Sequence, residues 1–196
     1  MKSQKGLKRY HHGDARAALV HAAGEVLEES GAASMSLRAV AERAGISRQA
    51  PYNHFPDKES LLATLVVLGF EQLTDAVRSA TSGLVGEDAL AACAEAYIGI
   101  AQHNPNIFRL MFARELVDIA KFENAVCASK KAFAVLQEVV ATTCPPSQVA
   151  DLSLAAWCLV HGYATLCNET GIESPEQRRT RAQMFAHIIA VSITPQ

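Results

Sequence analysis

Residues 45–58, GISRQAPYNHFPDK, concentrate side chains that can form paired hydrogen bonds. Arg48, Gln49 and Asn53 carry the guanidinium and amide groups that make bidentate contacts with the edges of guanine and adenine. Ala50 lies among them and offers a methyl group suited to contact with a thymine methyl. Taken alone, such residues are also what a solvated helix face carries, so the surrounding elements must decide between the two interpretations.

A second set of residues has the chemistry of phosphate contact. Hydroxyl, imidazole and ammonium donors can hold phosphate oxygens, and a serine that caps a helix brings free backbone N–H groups to the same place. Arg38, at the second position of a predicted helix, suits either a phosphate or a base edge. The full set in and before the segment is Ser36, Arg38, Ser47, Tyr52, His54 and Lys58.

Residues 1–13 form a basic arm that contains four Lys or Arg residues and no acid. Lys8 and Arg9 could follow the minor groove or the phosphates beside residues 45–58, which we call the reading segment. The alternative is a disordered tail that only adds solubility. His11 and His12 lie beside Asp14 but lack a third spaced ligand, so we expect no metal site and no cofactor there.

Helix start and stop signals place the segment in a helix-turn-helix. Serine and aspartate caps precede the apolar stripes, and glycines follow two of them. The predicted helices cover 14–30, 37–44, 47–55 and 57–79, with Gly45 and Ile46 as the turn between the second and third. Two short helices joined by a glycine-containing turn and supported by a preceding helix have the helix-turn-helix arrangement.

Pro51 is unusual within a predicted helix. With Ser47 as cap it falls at the fourth helical position, where proline removes only the first intrahelical hydrogen bond. A 3₁₀-like opening turn would absorb that loss. Phe55 is expected to be a packing anchor rather than a DNA contact.

The fold class is all-α, since no strand alternation is present and Asn104-Pro105, Pro145-Pro146 and the capping box at Ser174 divide the rest of the chain into helices. The predicted helices there cover 87–103, 105–118, a following segment to 143, 147–168 and 174–193. The predicted domains are a basic arm (1–13), a helix-turn-helix DNA-binding domain (14–60), a connecting helix (61–82) and a C-terminal effector-binding and dimerisation domain (83–196).

Charge and cysteine content narrow the class of protein. The net charge is −2, but residues 1–56 hold eight basic against five acidic residues. This N-terminal part, the head, is therefore positive, and the rest of the chain is negative. The five cysteines contain no C-x-x-C pair, which argues against disulfides or structural zinc and favours a cytoplasmic protein. The apolar run 152–167 is judged too short and too polar to cross a membrane.

Residues 9–66 resemble the DNA-binding domain of TetR-family transcriptional regulators. The matching pieces are Leu19…Ala22-Ala23…Leu27…Gly31, Ser36-Leu37-Arg38…Val40-Ala41, Ala44-Gly45-Ile46-Ser47, Tyr52-x-His54-Phe55, Lys58-Glu59 and Leu61-Leu62. The resemblance implies a homodimer formed through the last two helices, a palindromic operator in double-stranded DNA, and a repressor released by a small apolar effector. This family often has leucine where this sequence has Pro51. The proline therefore departs from the common family pattern, and it bears on the pitch expected for the reading helix.

Trp157, His161 and Gly162 resemble the W-x-x-x-H-G signature of one group of C-terminal domains in this family. Trp157 and His161 share a helix face and line either an effector pocket or a plain core. Gly162 is expected to allow close helix approach. The same two interpretations apply to an aromatic and methionine set on earlier helices, namely Tyr97, Phe108, Met111, Phe112 and Phe133.

Two rival functions remain. An enzyme is disfavoured because the sequence has no metalloprotease, P-loop or nucleophile-elbow motif. A ligand or redox sensor of the same fold that reads DNA weakly because of Pro51 is the alternative. Cys93, Cys158 and Cys167 have apolar neighbours in sequence, so we expect buried, unreactive thiols.

Overall fold

The computed structural model describes residues 12–171 and 174–193, and this part of the chain contains α-helices and short 3₁₀ turns with no strand. The all-α expectation is confirmed. The helices are α1 (His12–Ser34), α2 (Leu37–Arg43), α3 (Lys58–Thr81), α4 (Gly86–His103), α5 (Pro105–Phe112), α6 (Glu123–Val140), α7 (Val149–Thr170) and α8 (Pro175–Val191).

Helix α1 begins at His12, two residues before the predicted cap at Asp14. The end of the predicted arm is therefore helical, and Lys8 and Arg9 lie outside the described residues. Gly31 interrupts α1 close to the predicted end with a φ of 72°, a left-handed conformation that favours glycine. The apolar stripe of α1 is buried as expected, with Leu19 and Ala23 fully inaccessible to solvent.

Side-chain caps fix the starts of α2 and α3. The Ser36 hydroxyl accepts a hydrogen bond from the Ala39 N–H at 3.1 Å, and Leu37, Val40 and Ala41 form the buried side of α2. At α3, Asp57 accepts from the Ser60 N–H at 2.7 Å in a capping box. Both cap positions agree with the sequence prediction.

Helix α4 is the centre of the C-terminal half and packs against α3, α6, α7 and α8. Helix α5 ends at Phe112, although the sequence predicted a helix to about Asp118. The Ala113 N–H bonds back to the Leu110 carbonyl at 3.3 Å, which tightens the chain into a turn. Residues 113–118 form a connecting loop, followed by a 3₁₀ turn at Ile119–Lys121.

Two helical segments are long and apolar enough to cross a membrane by length and composition alone, Lys58–Thr81 and Pro146–Thr170. The sequence expectation for 152–167 was therefore wrong on length, because the helix extends beyond the apolar run at both ends. This is weak evidence for a membrane span, since core helices pass the same test. More than half of the apolar window of Lys58–Thr81 is buried in the fold, against 22% for Pro146–Thr170.

Candidate DNA-reading surface and effector cavity

The reading segment after the turn is a single 3₁₀ turn, Ala50–Asn53, and not an α-helix. The Ala50 N–H donates to the Ser47 carbonyl at 3.0 Å and the His54 N–H to the Pro51 carbonyl at 2.9 Å. The N-cap position is Gln49, and no side chain caps the turn. The predicted helix capped by the Ser47 hydroxyl is thus wrong, and the Ser47 carbonyl opens the turn instead.

Pro51 is the second residue of this turn, where no backbone N–H is needed, and its side chain is fully buried. Phe55 is also buried, and the Arg16 guanidinium of α1 lies 5.3 Å from the centre of its ring. Pro51 and Phe55 therefore attach the segment to the head on one side. Its polar side chains face outward on the other.

The structure exposes most of the predicted DNA-contacting side chains. Half-buried positions are Ala50, His54 and Lys58, while the exposed ones are Ser36, Arg38, Ser47, Arg48, Gln49, Tyr52 and Asn53. Ser36 is occupied as a helix cap, and the Lys58 ammonium lies 3.5 Å from the Ala33 carbonyl. Across the described chain, no hydrogen bond or ion pair engages the side chains of Arg38, Arg48, Gln49 or Asn53.

Arg43, another cation of the head, is committed to its own domain. Its guanidinium forms a bidentate ion pair with Glu29 and lies 3.7 Å from Glu25. The hydrogen bond to Glu29 raises the pKa of Arg43, and the same bond lowers the pKa of Glu29. The head thus separates a paired arginine from the unpaired arginines of the reading surface.

A cavity of about 460 Å³ opens between α3, α4, α5, α6 and α7, a size typical of small-molecule sites. Its walls are mostly apolar. Five of the seven predicted ligand residues line it, namely Tyr97, Met111, Phe112, Phe133 and Trp157. The remaining lining residues are Phe70, Leu73, Val77, Cys93, Arg114, Val117, Ile119, Ser129, Lys130, Ala132, Leu136, Gln137 and Val160.

Phe108 and His161 do not line the cavity and stand behind its wall. The Tyr97 hydroxyl is hydrogen-bonded to His161 Nδ1 at 2.9 Å and accepts from Trp157 Nε1 at 3.4 Å. Phe108 packs edge-on against Tyr97, with ring centres 5.7 Å apart. His161 and Phe108 therefore position the ring and hydroxyl of Tyr97.

Burial keeps this network neutral. Desolvation lowers the pKa of His161, so its imidazole is uncharged at neutral pH. An uncharged imidazole leaves one ring nitrogen able to accept a hydrogen bond from the Tyr97 hydroxyl. Desolvation also raises the pKa of the Tyr97 hydroxyl. The inner wall of the cavity consequently carries no charge near neutral pH.

The cysteines divide by exposure. Burial raises the pKa of Cys93 to about 12, and Cys167 is buried as well. Cys158 is exposed, contrary to the sequence expectation. It lies on the outer face of α7, which nothing else in the described chain covers, so its apolar neighbours in sequence did not predict its surroundings.

Two acidic residues join the head to the cavity wall, and sequence reasoning missed both. Glu28 of α1 accepts hydrogen bonds from the Asn106 N–H at 3.3 Å and the Ile107 N–H at 2.9 Å, so α1 supplies the cap of α5. Asn104, which occupies the N-cap position before Pro105, makes no side-chain cap bond. Glu59 of α3 accepts from the Asp118 N–H at 3.1 Å, beyond the cavity mouth.

The cations at the cavity, Arg114 and Lys130, were also missed. Arg114 follows the unpredicted end of α5, and Lys130 lies on a helix whose orientation depends on tertiary packing. Their charge was visible in the sequence. Their proximity to the aromatic wall was not.

Comparison with known proteins identifies the family. A family model of the tetracyclin repressor-like C-terminal domain matches residues 90–191, which is more than half of the chain. A second model, of bacterial regulatory proteins of the tetR family, matches residues 19–65. The chain belongs to the TetR family. TetR-family regulators are soluble DNA-binding proteins rather than enzymes, which accords with a cytoplasmic location.

Individual relatives agree on the fold. The uncharacterized HTH-type transcriptional regulator YobS of Bacillus subtilis is 28% identical over 90 residues, which span 46% of this chain and about half (47%) of that relative. A structure of a protein of unknown function from Rhodococcus sp. RHA1 is 28% identical, with 94% of this chain and 100% of that chain covered and a TM-score of 0.79. The Bacillus subtilis regulator FadR, solved in complex with stearoyl-CoA, is 13% identical with a TM-score of 0.74, covering 91% of this chain and 100% of that chain.

Proposed function

We propose that this TetR-family regulator is a homodimeric repressor that leaves a palindromic operator when a small, largely apolar effector fills the cavity. We assign residues 14–60 to the DNA-binding head, 61–82 to a connecting helix and 83–196 to the effector and dimerisation domain. The observation that carries the proposal concerns polar side chains in and before the 3₁₀ turn. They are exposed and form no hydrogen bond or ion pair within the described chain, namely Arg38, Arg48, Gln49 and Asn53. Such donors without internal partners are what an operator would engage.

The proposed DNA contacts fall into two groups. Arg48, Gln49 and Asn53 read base edges, and Ala50 contacts a thymine methyl. Phosphates are held by Arg38, Ser36, Ser47, Tyr52, His54 and Lys58, with Lys8 and Arg9 of the arm contributing alongside. Their exposure supports this division, since an exposed donor loses little by exchanging water for DNA.

The proposed dimer forms through α7 and α8. Met184, Ile188 and Val191 of α8 recur at helical spacing and are 41%, 39% and 65% exposed. Leu154 and Leu166 of α7 are 52% and 58% exposed. Exposed apolar side chains on two neighbouring helices are typical of a protein interface, and a two-fold dimer would match a palindromic operator.

Gly162 supports the same interface. A Cβ at Gly162 would meet nothing within 4 Å, so no helix of the described part of the chain approaches it closely. The close approach expected from the sequence therefore falls to the partner subunit. Together, Gly162 and its exposed neighbour Cys158 form part of the proposed contact face.

Effector coupling is proposed to run through α5. Met111 and Phe112 of α5 line the cavity, while the opposite end of the helix is capped by Glu28 of α1. A Cβ on Gly69 of α3 would lie 2.7 Å from Met111 Sδ, so α5 has little room to shift without moving α3. An effector that displaces α5 would thereby alter the position of the head.

The effector class has two supports. The cavity wall is largely apolar, and Trp157 and His161, which resemble the W-x-x-x-H-G signature, supply a lining ring and the support of Tyr97. The FadR relative was solved with stearoyl-CoA, which carries a long apolar acyl chain. For this chain we propose an apolar body as the part that enters the cavity.

The first experiment is selection of bound duplexes from a random DNA pool at two salt concentrations. We expect enrichment of a two-fold-symmetric site, with affinity that falls as salt rises. Salt-sensitive binding with no enriched site would contradict the assigned base contacts. No binding by folded, ligand-free protein at either salt would contradict the DNA-binding function.

A second candidate is a sensor of the same fold that reads DNA poorly, favoured by the 3₁₀ geometry at Pro51. Selection with Pro51→Leu separates the two, with Pro56→Leu as a control because Pro56 is exposed outside the turn. We expect Pro51→Leu to lose affinity or change site preference, since the buried ring fixes the turn. Tighter binding by Pro51→Leu would support the sensor.

A further inference from the structure

The charges at the cavity all have one sign. Among the described residues that line it, Arg114 and Lys130 are the only Lys or Arg side chains, and none is Asp or Glu. Both side chains belong to exposed residues, so they lie at the solvent side of the cavity. They come from different elements, since Arg114 follows α5 and Lys130 lies on α6.

Neither cation is neutralised within the described chain. No ion pair or hydrogen bond engages the side chain of Arg114 or Lys130, whereas Lys121 between them in sequence is paired with Glu59 at 3.2 Å. Residues three and four positions away from Lys130 on α6 include no acid. Both cations at the solvent side, or mouth, of the cavity are therefore free to pair with an anion.

The buried end of the cavity, at Tyr97 and Cys93, carries no charged side chain. The Tyr97 hydroxyl is already hydrogen-bonded to both His161 and Trp157, so it is satisfied. Cys93 holds its proton, because burial raises its pKa to about 12. An ionised group would lose its hydration at this end without gaining a partner.

We infer that the effector is an anionic amphiphile, with its apolar body against the aromatic wall and a carboxylate at the mouth between Arg114 and Lys130. This inference rests on the proposed role of the cavity as the effector site. A carboxylate can bind the guanidinium fork of Arg114 in a bidentate manner and the Lys130 ammonium as a point charge. The same two cations repel a cationic amphiphile, and an uncharged head group offers them only weaker, neutral hydrogen bonds.

The chain contains its own probe, since Trp157 is its only tryptophan and lines the cavity. Full-length protein is titrated with decanoate, 1-decanol and decyltrimethylammonium, three ligands with the same ten-carbon chain, and Trp157 fluorescence is recorded. We expect decanoate to bind at least tenfold more tightly than decanol, and decyltrimethylammonium more weakly than either.

Variants locate the anion. Arg114→Gln and Lys130→Gln should each remove most of the advantage of decanoate and leave decanol affinity unchanged. Lys131→Gln is the matched control, because Lys131 is the exposed neighbour of Lys130 and does not line the cavity. Equal affinities for decanoate and decanol, or equal effects of Lys130→Gln and Lys131→Gln, would overturn the inference. So would a failure of all three ligands to bind.

A separate measurement distinguishes a failure of this inference from a failure of the proposed function. Operator affinity is measured with and without saturating decanoate. Decanoate that binds with the expected preference and weakens operator binding supports both. Decanoate that binds with the same preference and leaves operator affinity unchanged supports the anion site and overturns the effector role of the cavity.

Discussion

The reading segment carries two kinds of cation whose removal should have different effects. Arg48 is exposed, unpaired and chemically suited to a base edge. We expect Arg48→Ala to cost about 1–3 kcal/mol at the selected operator and to relax preference at one base position. Lys58 lies at the start of α3. We expect Lys58→Ala to weaken all sequences alike and to flatten the salt dependence, both measured by binding titrations on specific and random duplexes.

Arg43→Ala is the matched control, because its charge is held by Glu29 and Glu25. It should leave base preference unaltered. If Arg43→Ala, Arg48→Ala and Lys58→Ala gave the same loss at every sequence, the division into base and phosphate contacts would be wrong.

His161 connects a single imidazole to the pH dependence of stability. Its folded pKa is lowered by desolvation, so the unfolded chain binds a proton that the folded chain resists. The free energy of unfolding should therefore be full above the unfolded pKa of about 6.5 and should fall as pH drops below it. We expect urea unfolding at pH 7.5 and 5.5 to show a smaller loss for His161→Gln than for the unaltered chain.

His21→Gln is the control for His161, because His21 lies exposed on α1 with only Glu25 nearby, at 3.7 Å. Its replacement should leave most of the pH dependence in place. An unaltered pH dependence in His161→Gln would contradict the assignment of a neutral, hydrogen-bonded imidazole behind Tyr97.

At the scale of elements, Glu28 fixes the start of α5 from α1. Its carboxylate accepts two backbone N–H groups that would otherwise lack partners at the helix N-terminus. Loss of a cap typically costs about 0.5–2 kcal/mol, so we expect Glu28→Ala to lower the free energy of unfolding by that amount. Hydrogen exchange of the Asn106 and Ile107 amides should accelerate in the folded protein.

Glu25→Ala is the comparison, since Glu25 lies one turn earlier on α1 and pairs only with surface groups. We expect it to change stability by about 0.5 kcal/mol or less. Equal protection of the Asn106 and Ile107 amides in Glu28→Ala and Glu25→Ala would remove Glu28 as the link between head and cavity.

Local signals predicted the elements that depend on neighbouring residues. Ser36 and Ser174 cap α2 and α8 as their sequences indicated, because each cap bond spans three residues. The start of α5 was placed correctly at Pro105, but its cap comes from Glu28, 78 positions away. The residue pattern of a helix carries no information about a partner so distant in sequence. The cap of α5 and its early end were therefore not predicted.

The predictions for the reading segment and for the charged residues of the cavity fell short for the same kind of reason. Ser47 is an acceptable cap residue, yet the buried ring of Pro51 and the turn hydrogen bonds to Ser47 and Pro51 carbonyls hold a 3₁₀ geometry. In the cavity, the aromatic residues were predicted because large apolar side chains signal a wall or core. Arg114 and Lys130 look like surface cations in sequence, and only the packing of α6 against α3 and α7 brings Lys130 to the mouth.

At the scale of the whole molecule, the outer face of α7 and α8 is the part of the described chain that most needs a partner. Leu166 is 58% exposed there, and the apolar window of the α7 segment is only 22% buried. A two-fold dimer would cover this face with its own copy. We expect Leu166→Glu to shift the protein from dimer to monomer in sedimentation equilibrium, because each subunit would then bury an unpaired carboxylate in the interface.

The same substitution should weaken operator binding, since a single head loses the contacts of the second half-site. Stability of each chain should change little, because Leu166 packs on few groups of its own subunit. Leu116→Glu is the matched control, as Leu116 is 38% exposed in the loop 113–118, which is bonded to α3 through the Asp118 N–H and Glu59. A Leu166→Glu protein that remained dimeric would place the interface elsewhere. A monomer that still bound the full palindrome with unaltered affinity would show that dimerisation is not what pairs the heads, which would remove the physical reason for a symmetric operator.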